Sequence, residues 1–114
     1  MSLSPSDVLI SRADCFKENK PKIIFSFYHP DSEFKKIFNE SAYIAYFEKT
    51  LKNLIHVGIK IVSEEIANNL SIVKYIETFV NEENRLLTYY CKAFLKKIDG
   101  QWLILKEMKD EIKF

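Results

Sequence analysis

The stretch that decides the fold is LIHVGIKIV, residues 54–62 of a chain of 114 residues. Before Leu54, apolar residues recur every three or four positions, which is the spacing of a helix that buries one face. After Leu54 they recur at every second position, at Ile55, Val57, Ile59 and Ile61. This change of period predicts that a helical first part gives way to a strand buried on one face, with His56 pointing away from the core.

The part of the chain before this stretch is predicted to form three helices. The first begins at Pro5 and the second at Pro21, because proline suits the first helical position, where its missing N–H costs nothing. Pro30 ends the second helix, since proline disfavours helical geometry at the residue before it. The third helix begins at about Glu40. Residues 31–39 are expected to connect the last two helices and to bury three apolar side chains: Phe34, Ile37 and Phe38.

The part of the chain after this stretch is predicted to form three more strands: residues 70–80, residues 86–98 and residues 102 to about 111. Short polar turns containing Asn, Asp or Gly separate the strands. The order of elements predicts an α+β fold, with N-terminal helices packed on a curved antiparallel sheet of about four strands. We expect residues 1–114 to form a single domain, because this length is typical of one.

The third predicted strand is apolar on both of its faces. One face carries Leu87, Tyr89, Cys91 and Leu95, and the other carries Leu86, Tyr90 and Phe94. A strand with one face in water would instead alternate between apolar and polar residues. We therefore expect the outer face of the sheet to be covered by a second copy of the chain, in a homodimer.

Composition and charge exclude several classes of function. Seventeen basic and sixteen acidic residues leave a net charge of +1, which argues against nucleic acid or an anionic membrane as a partner. No apolar stretch reaches the roughly 18 residues of a membrane span. Cys15 and Cys91 match no metal-ligand spacing and suggest free thiols in a reducing, cytoplasmic compartment. For the same reason of spacing, no metal site is predicted. No cofactor is predicted either, since the two glycines, Gly58 and Gly100, form no phosphate-binding loop.

Two segments of the sequence resemble a known family. KPKIIFSFYHPDSEF, residues 20–34, resembles the segment with a Trp-His-Pro-Ser core in bacterial YchJ-type proteins. KAFLKKIDGQWLILK, residues 92–106, resembles the family's hairpin RFLKENGQWYYI. The spacing of the two segments and the order of helices before strands also agree, so the resemblance covers about residues 8–108. The family's Trp is Tyr28 here, and this sequence shows no Cys-rich SEC-C tail.

The resemblance implies both a fold and a kind of site. YchJ-type domains belong to the nuclear-transport-factor-2-like superfamily, whose cystatin-like fold is a cone-shaped roll of helices and a bent sheet. Such domains commonly hold a pocket and commonly form dimers through the outer sheet face. The family brings no established reaction with it. No motif here matches the pocket acids and tyrosine of the superfamily's steroid isomerases and polyketide cyclases.

Five residues are candidates for lining such a pocket: His29, Tyr75, Glu77, Phe79 and Tyr90. His29 is either a general base at the mouth of the cone or the hydrogen-bonded end of a helix. Alternation places Glu77 on one face with Tyr75 and Phe79. On the concave face its carboxylate would be desolvated, which raises the pKa, and on the outer face it would be exposed or paired with a lysine. Tyr89 and Tyr90 point to opposite faces, so one of the two can line the pocket.

Two functions from different classes remain open. The first is a non-catalytic binding module with an apolar, aromatic pocket for a small molecule or peptide. The second is a small enzyme of the isomerase or cyclase type, with Glu77 or His29 as general base and a pocket tyrosine as hydrogen-bond donor. Two or more polar groups converging on one point in the pocket would favour the enzyme. The absence of a second strong acid among the candidates favours the module, and no residue is assigned as catalytic.

Overall fold

Helices and a four-stranded sheet make up the computed structural model, which describes residues 3–113. The helices are α1 (Pro5–Lys17), α2 (Pro21–Ser26), α3 (Glu33–Ile37) and α4 (Glu40–Lys49), followed by a short 3-10 helix at Leu51–Asn53. The strands are β1 (Ile55–Ala67), β2 (Leu70–Val80), β3 (Leu86–Ile98) and β4 (Gln101–Ile112). They pair antiparallel in the order β1-β2-β3-β4. The predicted α+β fold is confirmed. Within the described residues, no helix is long and apolar enough to cross a membrane.

The turns between strands follow from residues that tolerate a left-handed backbone. Asn68 has a φ of 56° in the turn between β1 and β2, and Asn84 has a φ of 62° between β2 and β3. Asp99 and Gly100 have φ values of 50° and 78°. Two consecutive positive φ values suit the tight hairpin between β3 and β4, because such a turn twists in the same sense as the strands. These turns set the register of the meander.

The core lies between the helices and the concave face of the sheet. Helix α1 contributes Val8, Leu9 and Ala13, and helix α4 contributes Tyr43 and Phe47. Every second residue of β2 is buried, as alternation predicts. The sheet's contribution to the core consists of Val73, Tyr75, Cys91, Ala93, Leu95, Trp102 and Ile104.

The segment between α2 and α4 differs from the prediction. We expected residues 31–39 to be a connection, and the structure has helix α3 there. The Ser32 hydroxyl accepts a hydrogen bond from the Lys35 N–H at 3.2 Å and caps this helix. Five residues are too few to display a helical period, which is why the pattern missed it. Phe34 and Phe38 pack against the core as expected, but Ile37 is 75% exposed.

The start of β1 also differs from the prediction. His56 is buried, whereas Ile55 is 64% exposed and Val57 is exposed as well. The pairing with β2 shifts between His56 and Gly58, which marks a β-bulge at Val57. Since a bulge adds one residue to one strand, it reverses which residues face inward. His56 therefore lies on the concave face together with Ile59 and Ile61, and the prediction that it points outward was wrong.

Two further bulges act in the same way. The β1 register shifts again between Ile61 and Ser63, which places Glu64 on the concave face opposite Val73. There the Glu64 carboxylate accepts hydrogen bonds from the backbone N–H and the hydroxyl of Ser6 in α1, at 2.9 and 2.7 Å. The register of β4 shifts beside Phe94, so that Glu107 lies opposite the buried Ala93. The bulges turn four charged or polar residues to the face that carries the helices: His56, Glu64, Glu107 and Lys109.

Candidate functional site

A cavity of about 370 Å³ lies between the helices and the concave face of the sheet. Its helical wall is mainly aromatic and includes Phe34, Phe38, Tyr43 and Tyr46. Its sheet side includes Phe79, Leu87 and Tyr89, together with the charged residues Glu77, Glu107 and Lys109. Arg12 of α1 completes the polar end. The cavity thus has an aromatic body and one end where charged side chains gather.

Arg12 is the centre of the polar end. It lies on the buried stripe of α1 with Val8, Leu9 and Ala13, and it is buried as deeply as an apolar residue. Its Nη1 donates to the Tyr28 hydroxyl at 2.9 Å and also to Oε1 of Glu107, with which it forms an ion pair. Its Nη2 donates to the Tyr75 hydroxyl at 3.1 Å. A buried guanidinium needs such partners, because an unpaired charge in the protein interior is very costly.

Glu107 receives the remaining hydrogen bonds of this cluster. The Tyr28 hydroxyl donates to Oε2 at 2.8 Å, and the Tyr75 hydroxyl donates to Oε1 at 3.0 Å. Burial alone would raise the pKa of Glu107, but the charges of Arg12 and Lys109 and the hydrogen bonds from Arg12 and Tyr28 together lower it. Burial raises the pKa of Tyr28 well above its usual value. Glu107 is therefore ionised, and both tyrosines are protonated donors at neutral pH.

Glu77 forms a second cluster beside the first. Its Oε2 lies 2.9 Å from Nε2 of His56, and its Oε1 lies 3.3 Å from Nζ of Lys109. Arg12 is more distant, at 3.9 Å. Burial alone would raise the pKa of Glu77, but the hydrogen bond with His56 and the charges of Arg12 and Lys109 lower it to about 2. Desolvation on the concave face was predicted to raise the pKa of Glu77, and its three partners together reverse that shift.

The contact with Glu77 places a hydrogen on Nε2 of His56. An ionised carboxylate can only accept, so Nε2 of His56 carries the hydrogen that it donates to Glu77. Phe16 and Phe79 enclose the ring, with centroids 6.2 and 5.0 Å away. Nδ1 of His56 is buried and has no hydrogen-bond partner within residues 3–113. His56 thus fixes the Glu77 carboxylate through a hydrogen bond on the side away from the cavity, and it does not itself line the cavity.

The structure brings together some of the predicted site residues and separates others. Glu77 and Phe79 line the cavity, and Tyr75 lies just behind it with its hydroxyl bound to Arg12 and Glu107. Tyr90 pairs with Ile76 on the outer face of the sheet, and Tyr89 lines the cavity instead. This corrects the predicted position of Tyr90, since alternation along β3 allows one of the two neighbours to face inward.

His29 also lies away from the cavity. Its ring is buried, and its Nδ1 accepts a hydrogen bond from the Asp31 N–H at 3.0 Å. Its backbone N–H donates to the Ile104 carbonyl at 2.8 Å, so this segment covers part of the free edge of β4. These contacts give His29 a structural role, but not as the end of a helix: α2 ends earlier, at Ser26, and the ring accepts from a backbone N–H.

Four functional residues were missed by the sequence analysis: Arg12, His56, Glu107 and Lys109. A signal existed for Arg12, because it falls at helical spacing on the apolar stripe of α1 and therefore needs a buried acid. No comparable signal existed for Glu107. Strict alternation from Trp102 and Ile104 places Glu107 on the outer face. A bulge in β4, which no pattern in the sequence predicts, moves it to the inner face.

Comparisons with known proteins identify the fold. Neither models of known families nor curated proteins match the sequence. Among solved structures, a SEC-C motif containing protein from Rhodopseudomonas palustris is similar, with 15% identity, a TM-score of 0.76 and coverage of 92% of this chain and 77% of that one. A protein of unknown function with a cystatin-like fold from Nostoc punctiforme has 13% identity, a TM-score of 0.70 and coverage of 98% and 96%.

A nuclear transport factor 2-like protein of unknown function from Shewanella oneidensis is similar as well, with 13% identity, a TM-score of 0.70 and coverage of 93% and 98%. These neighbours match the resemblance drawn from the two sequence segments, because they include a SEC-C motif protein and a nuclear transport factor 2-like protein. The chain has the cystatin-like fold that the resemblance implies. At these identities the likeness extends to the fold alone.

The paired state of Glu77 predicts how stability depends on pH. Because its pKa is lowered from 4.5 to about 2, folding gains from this carboxylate at pH values above 4.5 and loses that gain as the pH falls toward 2. Urea unfolding across this range should give a falling free energy of unfolding, and Glu77→Gln should show a smaller fall. The exposed turn variant Glu82→Gln is the control and should keep the full fall. An equal fall in Glu77→Gln and the unaltered protein would contradict the assignment.

Proposed function

We propose that the protein is a non-catalytic binding module whose cavity holds a small, mostly apolar molecule. The observation that carries this proposal is the cavity itself, with a volume of about 370 Å³ and an aromatic wall. Ligand sites in proteins commonly have this size and are lined by apolar and aromatic side chains with a few polar groups. A molecule of two fused rings would fill much of this space.

The state of the acidic residues favours binding over acid–base catalysis. A general base works best when its pKa lies near the working pH. The pKa of Glu77 is instead lowered to about 2 by its hydrogen bond and neighbouring charges. Glu107 is tied to Arg12 and to two tyrosine hydroxyls. Several polar groups do meet at this end, as the enzyme hypothesis requires, but their hydrogen bonds are mainly to one another.

We propose further that a second copy of the chain covers the outer face of the sheet. The face has apolar cross-strand pairs at Ile72–Phe94, Ile76–Tyr90 and Val80–Leu86. β2 has 11 residues, and at about 3.3 Å per residue the face is about 36 Å long. Four strands spaced about 4.8 Å apart make it about 19 Å wide. The product, about 700 Å², is close to the ~800 Å² that each partner buries in a stable complex.

Charged residues restrict how two copies can meet. Lys74 and Lys92 lie opposite each other across β2 and β3, in the middle of this face. A twofold axis on this pair would bring four ammonium groups together, which is unfavourable. The axis is therefore better placed near Ile76 and Tyr90. There Asp110, opposite Tyr90 on β4, supplies a carboxylate for a partner's lysine.

Binding in the cavity can be tested with N-phenylnaphthylamine, an uncharged apolar probe whose fluorescence rises in apolar surroundings. We expect saturable binding with one probe per chain. Leu87→Trp adds a large ring to the cavity wall and should weaken binding at least tenfold. Ile23→Trp adds the same ring at an exposed residue of α2 that lies outside both the cavity and the outer face of the sheet, and it is the matched control. No saturable binding to the folded protein, or equal loss in both variants, would overturn the proposal.

The dimer can be tested by sedimentation equilibrium in the micromolar range. We expect the mass of two chains for the unaltered protein. Ile76→Lys should give a monomer, because it adds a charge at the centre of the proposed interface. Ile37→Lys introduces the same charge at a residue that is 75% exposed and outside this face, and it should remain dimeric. A monomeric unaltered protein, or a dimer that tolerates Ile76→Lys, would exclude this interface.

A further inference from the structure

We propose that the cavity selects an uncharged ligand with a carbonyl oxygen, and that this oxygen accepts a hydrogen bond from the hydroxyl of Tyr43. The inference rests on the proposed binding function and adds the chemical class of the ligand. It follows from which hydrogen-bonding groups at the cavity are already used and which are free.

The acceptors at the polar end are largely occupied. Oε1 of Glu107 accepts from Arg12 and Tyr75, and Oε2 accepts from Tyr28. The hydroxyls of Tyr28 and Tyr75 each accept from Arg12 and donate to Glu107. A ligand whose polar group is mainly a donor would therefore compete with bonds already made. An amine or an alcohol gains little from this end of the cavity.

Three tyrosines at the cavity, Tyr43, Tyr46 and Tyr89, have hydroxyls without a hydrogen bond to another residue in the described part of the chain, and Tyr43 is the most buried of the three. The exposed fraction of Tyr43 is 4%. Yet its hydroxyl is not sealed in protein, since Nδ1 of His56 is the sole fully enclosed side-chain polar atom without a partner in residues 3–113. We infer that the hydroxyl of Tyr43 faces the cavity, because Tyr43 lines it and the charges of Arg12 and Glu107 at its polar end both act on the pKa of Tyr43. The described residues supply no acceptor for this hydroxyl, and a ligand oxygen would supply one.

The position and protonation of Tyr43 suit a donor. Its ring packs against Phe34, Phe38 and Phe47, with centroids 4.8, 5.8 and 6.2 Å away. A ring held in this way loses little freedom when a ligand binds, which favours affinity. Burial raises the pKa of Tyr43 to about 12, so the hydroxyl keeps its hydrogen at neutral pH.

The charges around the cavity favour an uncharged acceptor over a carboxylate. Arg12 and Lys109 supply two positive charges, and Glu77 and Glu107 supply two negative ones. These charges are already paired with each other. A carboxylate at Tyr43 would add a negative charge near Glu107 without a free cation beside it, whereas a ketone, ester or amide oxygen adds none.

The test uses three compounds with the same fused-ring body: naphthyl methyl ketone, ethylnaphthalene and naphthoate. Their affinities are measured by displacement of N-phenylnaphthylamine from the unaltered protein and from Tyr43→Phe. The ketone should bind more tightly than the hydrocarbon and naphthoate, and Tyr43→Phe should weaken the ketone roughly tenfold, the size of one hydrogen bond. Ethylnaphthalene should bind equally to both proteins. Tyr46→Phe and Tyr89→Phe remove the two other tyrosine hydroxyls at the cavity that make no hydrogen bond within residues 3–113. A loss of ketone affinity in either of them as large as in Tyr43→Phe would overturn the assignment to Tyr43.

Each outcome decides between the two proposals. If the probe and the hydrocarbon bind but the ketone gains nothing from Tyr43, the binding module stands and the carbonyl proposal is overturned. Tighter binding of naphthoate than of the ketone would overturn it as well. If neither the probe nor any of the three compounds binds to the folded protein, the binding module itself fails and the carbonyl proposal fails with it.

Discussion

The burial of Arg12 is the constraint on which the rest of the structure depends. A guanidinium carries its charge at any ordinary pH, so a helix that buries one must bring it to an acid. Helix α1 brings it to Glu107 of β4, with Glu77 of β2 beyond hydrogen-bonding distance at 3.9 Å. This requirement fixes where α1 crosses the sheet. It also places the charged end of the cavity directly under the helix, while α3 and α4 supply its aromatic wall.

Much of the fold could be predicted from local patterns. Prolines and apolar spacing locate three of the four helices, and the change of period at Leu54 locates the sheet. Residues with positive φ at Asn68 and Asp99–Gly100 mark the hairpins. Helix α3 was not predicted, because it is shorter than two turns and shows no helical period. The alternation of β2 placed Glu77 and Phe79 correctly on one face because β2 runs without a bulge against β3.

The candidate site was much harder to predict, for a physical reason. Alternation assigns a residue to a face only while the strand keeps its register, and β1 and β4 both lose theirs. One extra residue at Val57 turns His56 inward, and another shift turns Glu107 inward. Two of the three partners that lower the pKa of Glu77, His56 and Lys109, therefore come from strands whose period fails. Arg12 alone could be recognised from the sequence, because it is a charged residue on the apolar stripe of α1. The stripe does not indicate which acidic residue pairs with it.

Occupied and free hydrogen-bonding groups have different roles in this fold. The two charged clusters stabilise the fold, and the hydroxyl of Tyr43 remains available to donate a hydrogen bond to a ligand. The most direct test of the central claim is a double-mutant cycle on the free energy of unfolding with Arg12→Met and Glu107→Gln. Each single change should cost about 3–5 kcal/mol, since it leaves a buried polar group without its partner. The double variant should be about 2 kcal/mol or more better than the sum of the two. Additivity within about 0.5 kcal/mol would contradict the claim that this pair joins α1 to the sheet.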